Sequence, residues 1–310
     1  MSMKVAVIGE CMIELSEGKT GIVRHFGGDT LNTAIYLTRS NPDLAVHYVT
    51  ALGTDIMSST MLVQWQQEGV QTDMVQCLDQ KLPGLYLIET DEQGERTFYY
   101  WRNDAAARYW LQGPNTDQIC NSLLAYDYIY LSGISLAILS PDDRIRLLKL
   151  LTNCRTAGVK IAFDNNYRPR LWESVSVAQD AYRSILSLTD IAFLTLDDEL
   201  TLWGDNQVEQ TLVRTQALGV NEIIIKRGPN PCLTVQGAII ETVPAVILEE
   251  NNIVDTTAAG DAFSAGYLAR RLTGQSTRDS AHYAHQLAST VIQYRGAIIP
   301  LSVMPITVTL

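Results

Sequence analysis

The run Asp255-Thr256-Thr257-Ala258-Ala259-Gly260-Asp261 brings small residues and two acids to the start of a helical pattern, Ala262-Phe263-Ser264-Ala265. Small side chains let backbone N–H groups approach a ligand closely, and the helix that follows directs its positive dipole end at the same point. Such a turn suits a phosphate. A carboxylate where an anion should bind needs a reason, and for Asp261 a proton acceptor beside a phosphoryl group in transfer is one. Read structurally, the same run is a helix N-cap. A primary alcohol is too weak an acid to ionise near neutral pH, so the carboxylate would orient it and take its proton late. Most of the acceleration would then come from positive groups facing the phosphoryl oxygens.

A second small-residue run, Gly27-Gly28-Asp29-Thr30-Leu31-Asn32, lies over two hundred residues earlier. Paired glycines entering a helix, with Asp29 and Asn32 on its first turn, present carboxylate and amide groups to sugar hydroxyls. The alternative is a tight turn with an Asx cap.

The elements that must position these runs alternate along the chain. Apolar, β-branched segments at 5–8, 46–50, 128–131, 159–163, 191–194 and 223–226 read as strands buried on both faces. Helical patterns occupy 31–38, 61–68, 142–156, 177–187, 208–218, 261–272 and 279–293. This order predicts an α/β fold with a mostly parallel sheet between helices, and ligands beyond the carboxyl ends of the strands. One region breaks the rhythm. Segments 85–90 and 96–101, joined by Asp91-Glu92-Gln93-Gly94-Glu95, carry a hairpin signal. With 11–15 and 22–26 they would form a small antiparallel sheet over the mouth of the main layer, where Tyr86, Tyr100, Trp101 and Arg102 supply rings and polar tips. An edge decoration is the alternative.

Composition bounds the partners. The chain has 310 residues, 46% hydrophobic and 18% charged, with net charge −11. A field of that sign repels nucleic acid and anionic membrane, so an anionic ligand must meet local cations. Five scattered cysteines without a C-x-x-C pair fit reduced thiols, and the N-terminus passes into an apolar strand without a basic leader. A cytoplasmic protein with no membrane partner is expected. His282 and His285 lack an acid or Cys at ligand spacing and read as a solvated helix face. No Walker-type run or G-x-G-x-x-G fingerprint occurs.

The element Gly27-Gly28-x-x-x-Asn32, Gly53-x-Asp55 and the 255–261 run together resemble the two signatures of the ribokinase/PfkB carbohydrate kinases, over roughly residues 4 to 303. The stretches 9–15, 96–103, 163–169 and 290–296 are most similar to the branch that phosphorylates the sugar acid 2-dehydro-3-deoxygluconate. The resemblance implies one ribokinase-like three-layer α/β/α domain over 1–310. Its β lid would come from about 11–26 and 84–103, its donor would be ATP, and Mg²⁺ would be the counter-ion. The γ-phosphoryl group would pass to the sugar C6 hydroxyl.

Carried over by position, Asp261 would be the base, and the amides of Ala258, Ala259, Gly260 and Asp261 the anion hole. The family commonly has glycine at position 258, and alanine is expected to serve there if its φ is negative, which leaves the turn conformation open. Gly28, Asp29, Asn32, Tyr86 and Tyr100 would line the sugar pocket. Arg168, helped by Arg102, would hold the substrate carboxylate, against the alternative of surface ion pairs. Lys226, Gly228, Asn230, Asn166 and Ser289 match positions near the nucleotide. The Asn-x-x-Glu metal motif appears as Thr195-Leu196-Asp197-Asp198, which makes Asp198 the expected organiser of Mg²⁺. A dimer through the lids is a family-level expectation. A kinase of a neutral sugar or nucleoside and a catalytically silent sugar-acid sensor are the other readings. An intact 261 turn argues against the sensor. Arginines left without a carboxylate partner would argue against the neutral substrate.

Overall fold

The computed structural model describes residues 2–18, 21–90, 96–205 and 207–305. The chain opens with β1 (Lys4–Ile8), the hairpin β2 (Met12–Gly18) and β3 (Gly21–Gly27), α1 (Asp29–Ser40), β4 (Ala45–Leu52), α2 (Ile56–Gln67) and β5 (Val75–Cys77). It continues through β6 (Gly84–Thr90), β7 (Arg96–Trp101), α3 (Thr116–Leu123), β8 (Tyr128–Ser132), α4 (Gly133–Ala137), α5 (Pro141–Thr156), β9 (Lys160–Asp164) and α6 (Val175–Leu186). The last third holds β10 (Ile191–Thr195), α7 (Leu196–Trp203), α8 (Val208–Ala217), β11 (Glu222–Arg227), β12 (Asn230–Gln236), β13 (Ile239–Val243), α9 (Ala259–Arg271) and α10 (Thr277–Val291).

Nine strands form one sheet in the order β13-β12-β11-β10-β9-β8-β1-β4-β5. Pairing is parallel from β11 to β5, and β12 and β13 extend one edge antiparallel. The twofold period of a strand divides β1 between two cores. Val5 and Val7 pack with α1, α2, α9 and α10, whereas Ala6 and Ile8 pack with α3, α5 and α6 on the other face. This is the three-layer arrangement that continuous apolar strands require. Strand order reverses where β1 lies between β8 and β4, which opens a crevice at their carboxyl ends.

The remaining strands make a four-stranded sheet, β3-β2-β6-β7. It is antiparallel within its two hairpins, and the hairpins join through parallel pairing of β2 with β6, a detail the sequence reading does not contain. The loop expected at 91–95 lies outside the described residues. Among the described residues, no helix is long and apolar enough to cross a membrane.

Local chemistry sets the helix ends. α2 begins a turn before the expected 61 because the Asp55 carboxylate accepts from Met57 N–H at 2.8 Å and Ser58 N–H at 3.1 Å. α5 starts with a Ser140 cap, Pro141 and two acids. At the β8–α4 corner, Gly133 is needed for closeness. A Cβ there would overlap the Tyr182 hydroxyl and the Asn165 carbonyl, which themselves are hydrogen-bonded. Neither obstacle is a flexible side-chain end. Gly133→Ala is therefore expected to destabilise the protein by about 1–3 kcal/mol in urea unfolding, and an unchanged midpoint would show that the corner yields freely.

Candidate active site

The turn before α9 is fastened from one side. Asp255 accepts from Thr257 N–H at 3.0 Å, from the Thr257 hydroxyl at 2.6 Å and from Gly296 N–H at 3.0 Å, and its own N–H donates to the Ile292 carbonyl at 3.1 Å. Held so, Ala258 becomes the N-cap with φ 61°, in the left-handed region. The negative φ on which alanine's fitness at this position was conditioned is therefore not found. An L-residue pays about 1–2 kcal/mol there, and the Asp255 fastening together with the Ala262 N–H to Ala258 carbonyl bond at 2.9 Å holds it in place. Among the described residues no side-chain cap bond is made at this N-cap. Ala259 N–H donates within the turn to Thr256 at 3.2 Å, so it is not an open anion donor as expected. The N–H groups of Gly260 and Asp261 have no partner among the described residues, and Gly260 is exposed.

Asp261 is no N-cap; it is the third residue of the helix, half-buried where α9 meets α1. Its Oδ2 accepts from Asn32 Nδ2 at 2.8 Å. Burial pushes its pKa up to about 7, and the charges of Asp29 and Asp164 push the same way; the Asn32 bond and the Lys226 charge oppose them. Asp29, expected as an Asx cap or a sugar ligand, accepts from Asn166 Nδ2 at 2.6 Å. Asn166, expected near the nucleotide, is thereby tied to the sugar-side run, with φ 28°. Gly28 is extended at φ 175°, so its role is close approach: a Cβ would overlap the Glu10 carbonyl.

Lys226, the penultimate residue of β11, is buried beneath the turn rather than in open solvent. Its Nζ donates to Asp164 at 2.7 Å and lies 3.3 Å from Ser264, and a Cβ on Gly260 would be 3.6 Å from that Nζ. Asp164 also accepts from Ser264 at 2.7 Å and Tyr130 at 3.3 Å. The sequence reading assigned no role to Asp164, Ser264 or Tyr130. The available signal was an acid closing the buried apolar run Ile161-Ala162-Phe163, a costly place for a charge without a partner.

On the lid, Tyr86 donates to Glu14 and its ring lies 5.8 Å from that of Tyr100. Tyr100 is exposed, and Arg102 lies 5.8 Å from its ring centre. Arg102 is buried and donates to buried Glu10, a partner the sequence reading missed. Arg168 is exposed, bonds the Tyr167 carbonyl at 2.8 Å and meets Asp198 at 3.5 Å. Both arginines thus have carboxylate partners within the chain, so they do not separate an acidic from a neutral substrate in the way expected. Asp198 accepts from Tyr167 N–H at 3.1 Å, and burial raises its pKa.

Gly228, with φ 56°, and Asn230 occupy the exposed β11–β12 turn. The Ser289 hydroxyl donates within its own helix to Gln286 at 2.9 Å. No hydrogen bond joins these three to the Asp261 cluster among the described residues. His285 is not on a solvated face: it is buried edge-on to Phe263, and burial lowers its pKa to about 4. Among the described residues no group of three or more His, Cys, Asp or Glu could hold a metal.

A carboxyl pKa raised from 3.8 to about 7 means the folded state holds a proton that the unfolded chain has lost, so stability falls as pH rises through that window. Asp261→Asn removes this penalty. It should raise the unfolding free energy of the ligand-free protein at pH 8, read by urea denaturation, by on the order of 1–3 kcal/mol, and change it far less at pH 4. Equal shifts at both pH values would contradict the raised pKa.

Residues 2–304 match the pfkB family carbohydrate kinase model. The chain is 61% identical over 304 residues to a 2-dehydro-3-deoxygluconokinase of Dickeya dadantii, covering 97% of this chain and 98% of that protein. It is 58% identical over 308 residues to the 2-dehydro-3-deoxygluconokinase of Escherichia coli K12, covering 98% and 100%. The crystal structure of 2-dehydro-3-deoxygluconokinase from Thermotoga maritima superposes with TM-score 0.83 at 19% identity, over 96% of this chain and 95% of that one. With its parallel sheet, its four-stranded companion and both small-residue runs meeting at the start of α9, the chain belongs to the pfkB family of carbohydrate kinases.

Proposed function

We propose that the protein transfers the γ-phosphoryl group of ATP to the C6 hydroxyl of 2-dehydro-3-deoxy-D-gluconate. The reading extends over one domain, residues 1–310, with the four-stranded sheet as its lid. The observation that carries it is Asp261, bonded to Asn32 and neighboured by the open Gly260 and Asp261 amides at the start of α9. Asp261 accepts the hydroxyl proton while the sugar oxygen bonds to phosphorus and the bond to the ADP oxygen breaks. The amides face the charge on the phosphoryl oxygens; losing one such donor typically costs roughly 3 kcal/mol of barrier. Lys226, fixed by Asp164 and Ser264, adds positive charge behind them.

The site fits a magnesium nucleotide. Mg²⁺ takes few protein ligands and neutralises phosphate charge, and Asp198 is the carboxylate assigned to its water shell. Gly228, Asn230 and Ser289 are assigned to the nucleotide. Gly28, Asp29, Asn32, Tyr86 and Tyr100 line the sugar side. Arg168 and Arg102 hold the sugar carboxylate. The Arg168–Asp198 contact is long and half-exposed, and such pairs are worth about 0–1 kcal/mol, so a bidentate carboxylate can replace it. The relatives at 61% and 58% identity support the sugar acid over a neutral sugar.

The lid also supports a homodimer. β3 exposes Ile22 and Val23, and β7 exposes Phe98, Tyr99 and Trp101, an apolar surface suited to a second copy. Light scattering at micromolar concentration should give twice the 34.4 kDa chain mass, and a single-chain mass would remove the dimer.

ADP release with MgATP over sugar acids, neutral hexoses and nucleosides tests the activity. The expected result is turnover of 2-dehydro-3-deoxygluconate, with kcat/KM falling below a midpoint near pH 7 as Asp261 protonates. Asp261→Asn should lose at least a hundredfold in kcat with ATP binding retained, and Arg168→Ala should weaken only acidic sugars. Turnover of a neutral sugar alone, or full activity in Asp261→Asn, would overturn the proposal.

A further inference from the structure

Glu10 lies two residues beyond the end of β1, and Arg102 follows β7 directly, so their buried ion pair ties the root of the lid to the carboxyl end of a central strand. The two side chains are 1% and 8% exposed. The pair is poorly completed: a single Nη2 to Oε2 contact joins it, while Glu10 Oε1 and Arg102 Nε are both buried without a partner among the described residues. A buried ion pair roughly breaks even against apolar packing, and then only when its remaining polar atoms are satisfied. Burial outweighs Arg102 in setting the Glu10 carboxyl, whose pKa is raised. As a stabilising device it is inefficient, and a local rule broken at no visible gain in stability points to function.

The surroundings say which function. Gly84, the first residue of β6, leaves room for the pair: a Cβ there would be 2.8 Å from Glu10 Oε1 and 3.2 Å from Arg102 Cβ. The Glu10 carbonyl is in turn the group that Gly28 must approach. Residue 10 therefore touches both the glycine turn that introduces Asn32 and the arginine at the end of the lid hairpin. The Arg102 side chain has no other hydrogen-bond partner among the described residues, and its guanidinium lies 5.8 Å from the centre of the Tyr100 ring. A long side chain with one anchor keeps its geometry only through that anchor.

We propose that Glu10 is a positioning residue for acceptor specificity: it fixes the Arg102 guanidinium for the sugar carboxylate, in a space kept open by Gly84. This rests on the assignment of Arg102 to that carboxylate. Glu10→Gln keeps the shape and an acceptor oxygen but removes the charge that holds the arginine. Gly84→Ala leaves both charges and displaces them.

The test is steady-state kinetics on the full chain with MgATP and 2-dehydro-3-deoxygluconate, for Glu10→Gln, Gly84→Ala, Arg102→Ala and the Glu10→Gln/Arg102→Ala pair. Glu10→Gln and Gly84→Ala should each raise KM for the sugar acid about tenfold, with kcat and KM for ATP within about twofold, as expected when ground-state binding alone is lost. In the Arg102→Ala background, Glu10→Gln should add less than a twofold change, because its target is gone. If Arg102→Ala itself leaves the sugar-acid KM unchanged, the assignment of Arg102 fails, and the role of Glu10 with it. If Arg102→Ala raises KM but Glu10→Gln and Gly84→Ala do not, or if the Glu10 effect is undiminished without Arg102, Glu10 does not position it. Should Glu10→Gln not fold, Gly84→Ala decides alone.

Discussion

The site depends on keeping a carboxylate where carboxylates are unwelcome. Asp261 is sheltered from solvent and shares its neighbourhood with Asp29 and Asp164, against which the Asn32 amide and one buried lysine provide relief. An acid so placed is held near the midpoint of its titration at neutral pH, the condition under which a group both accepts a proton readily and returns it. The cost is local stability. It is a cost that a ligand bringing positive charge, or a hydroxyl offering a hydrogen bond, would remove.

The sheet makes this crowding possible. β9 ends in Asp164 and β11 carries Lys226 one residue before its end, the two strands flanking β10 in the sheet, and α9 packs onto them so that Ser264 closes the three-membered network. α1 lies beside α9 and delivers Asn32. Each group comes from a rigid element rather than from a free loop, so the spacing is set by strand and helix packing. The one irregular piece, the turn at 255–258, is held by Asp255 in a conformation that alanine does not favour. That strain leaves two helix-start amides unused by the protein, which is what an anion site at a helix end needs.

Much of this was legible in sequence. Continuous apolar strands alternating with helical periods gave the parallel sheet, and the two small-residue runs marked the ends of α9 and α1. What stayed hidden was pairing. β12 and β13 follow a tight turn at Gly228 and break the βα rhythm, and nothing local distinguishes them from loop. Asp29 looked like a sugar ligand and Asn166 like a nucleotide neighbour, yet 137 positions apart they bond to each other. The same blindness hid Glu10 behind Arg102. Periodicity reports the face a residue takes, not the residue it meets. The sign of φ at Ala258 was equally beyond reach, since it is imposed by bonds from Asp255 to Thr257 and Gly296 and not by the alanine itself.

These pairings change how an acidic protein could admit an acidic ligand. With net charge −11, the simplest device would be unpaired cations, but Lys226, Arg102 and Arg168 each already face a carboxylate: Asp164, Glu10 and Asp198. Two of these pairs are buried and short, and exchanging them would leave a charge stranded in a low-dielectric setting at a cost of several kcal/mol. The third is long, half-exposed and nearly free to exchange. The cations therefore divide by burial into fixed ones, which shape the field without moving, and Arg168, which can give up an internal acid for an external one. Entry of an anion would then be governed by the weakest internal ion pair, and selectivity by the two that do not open.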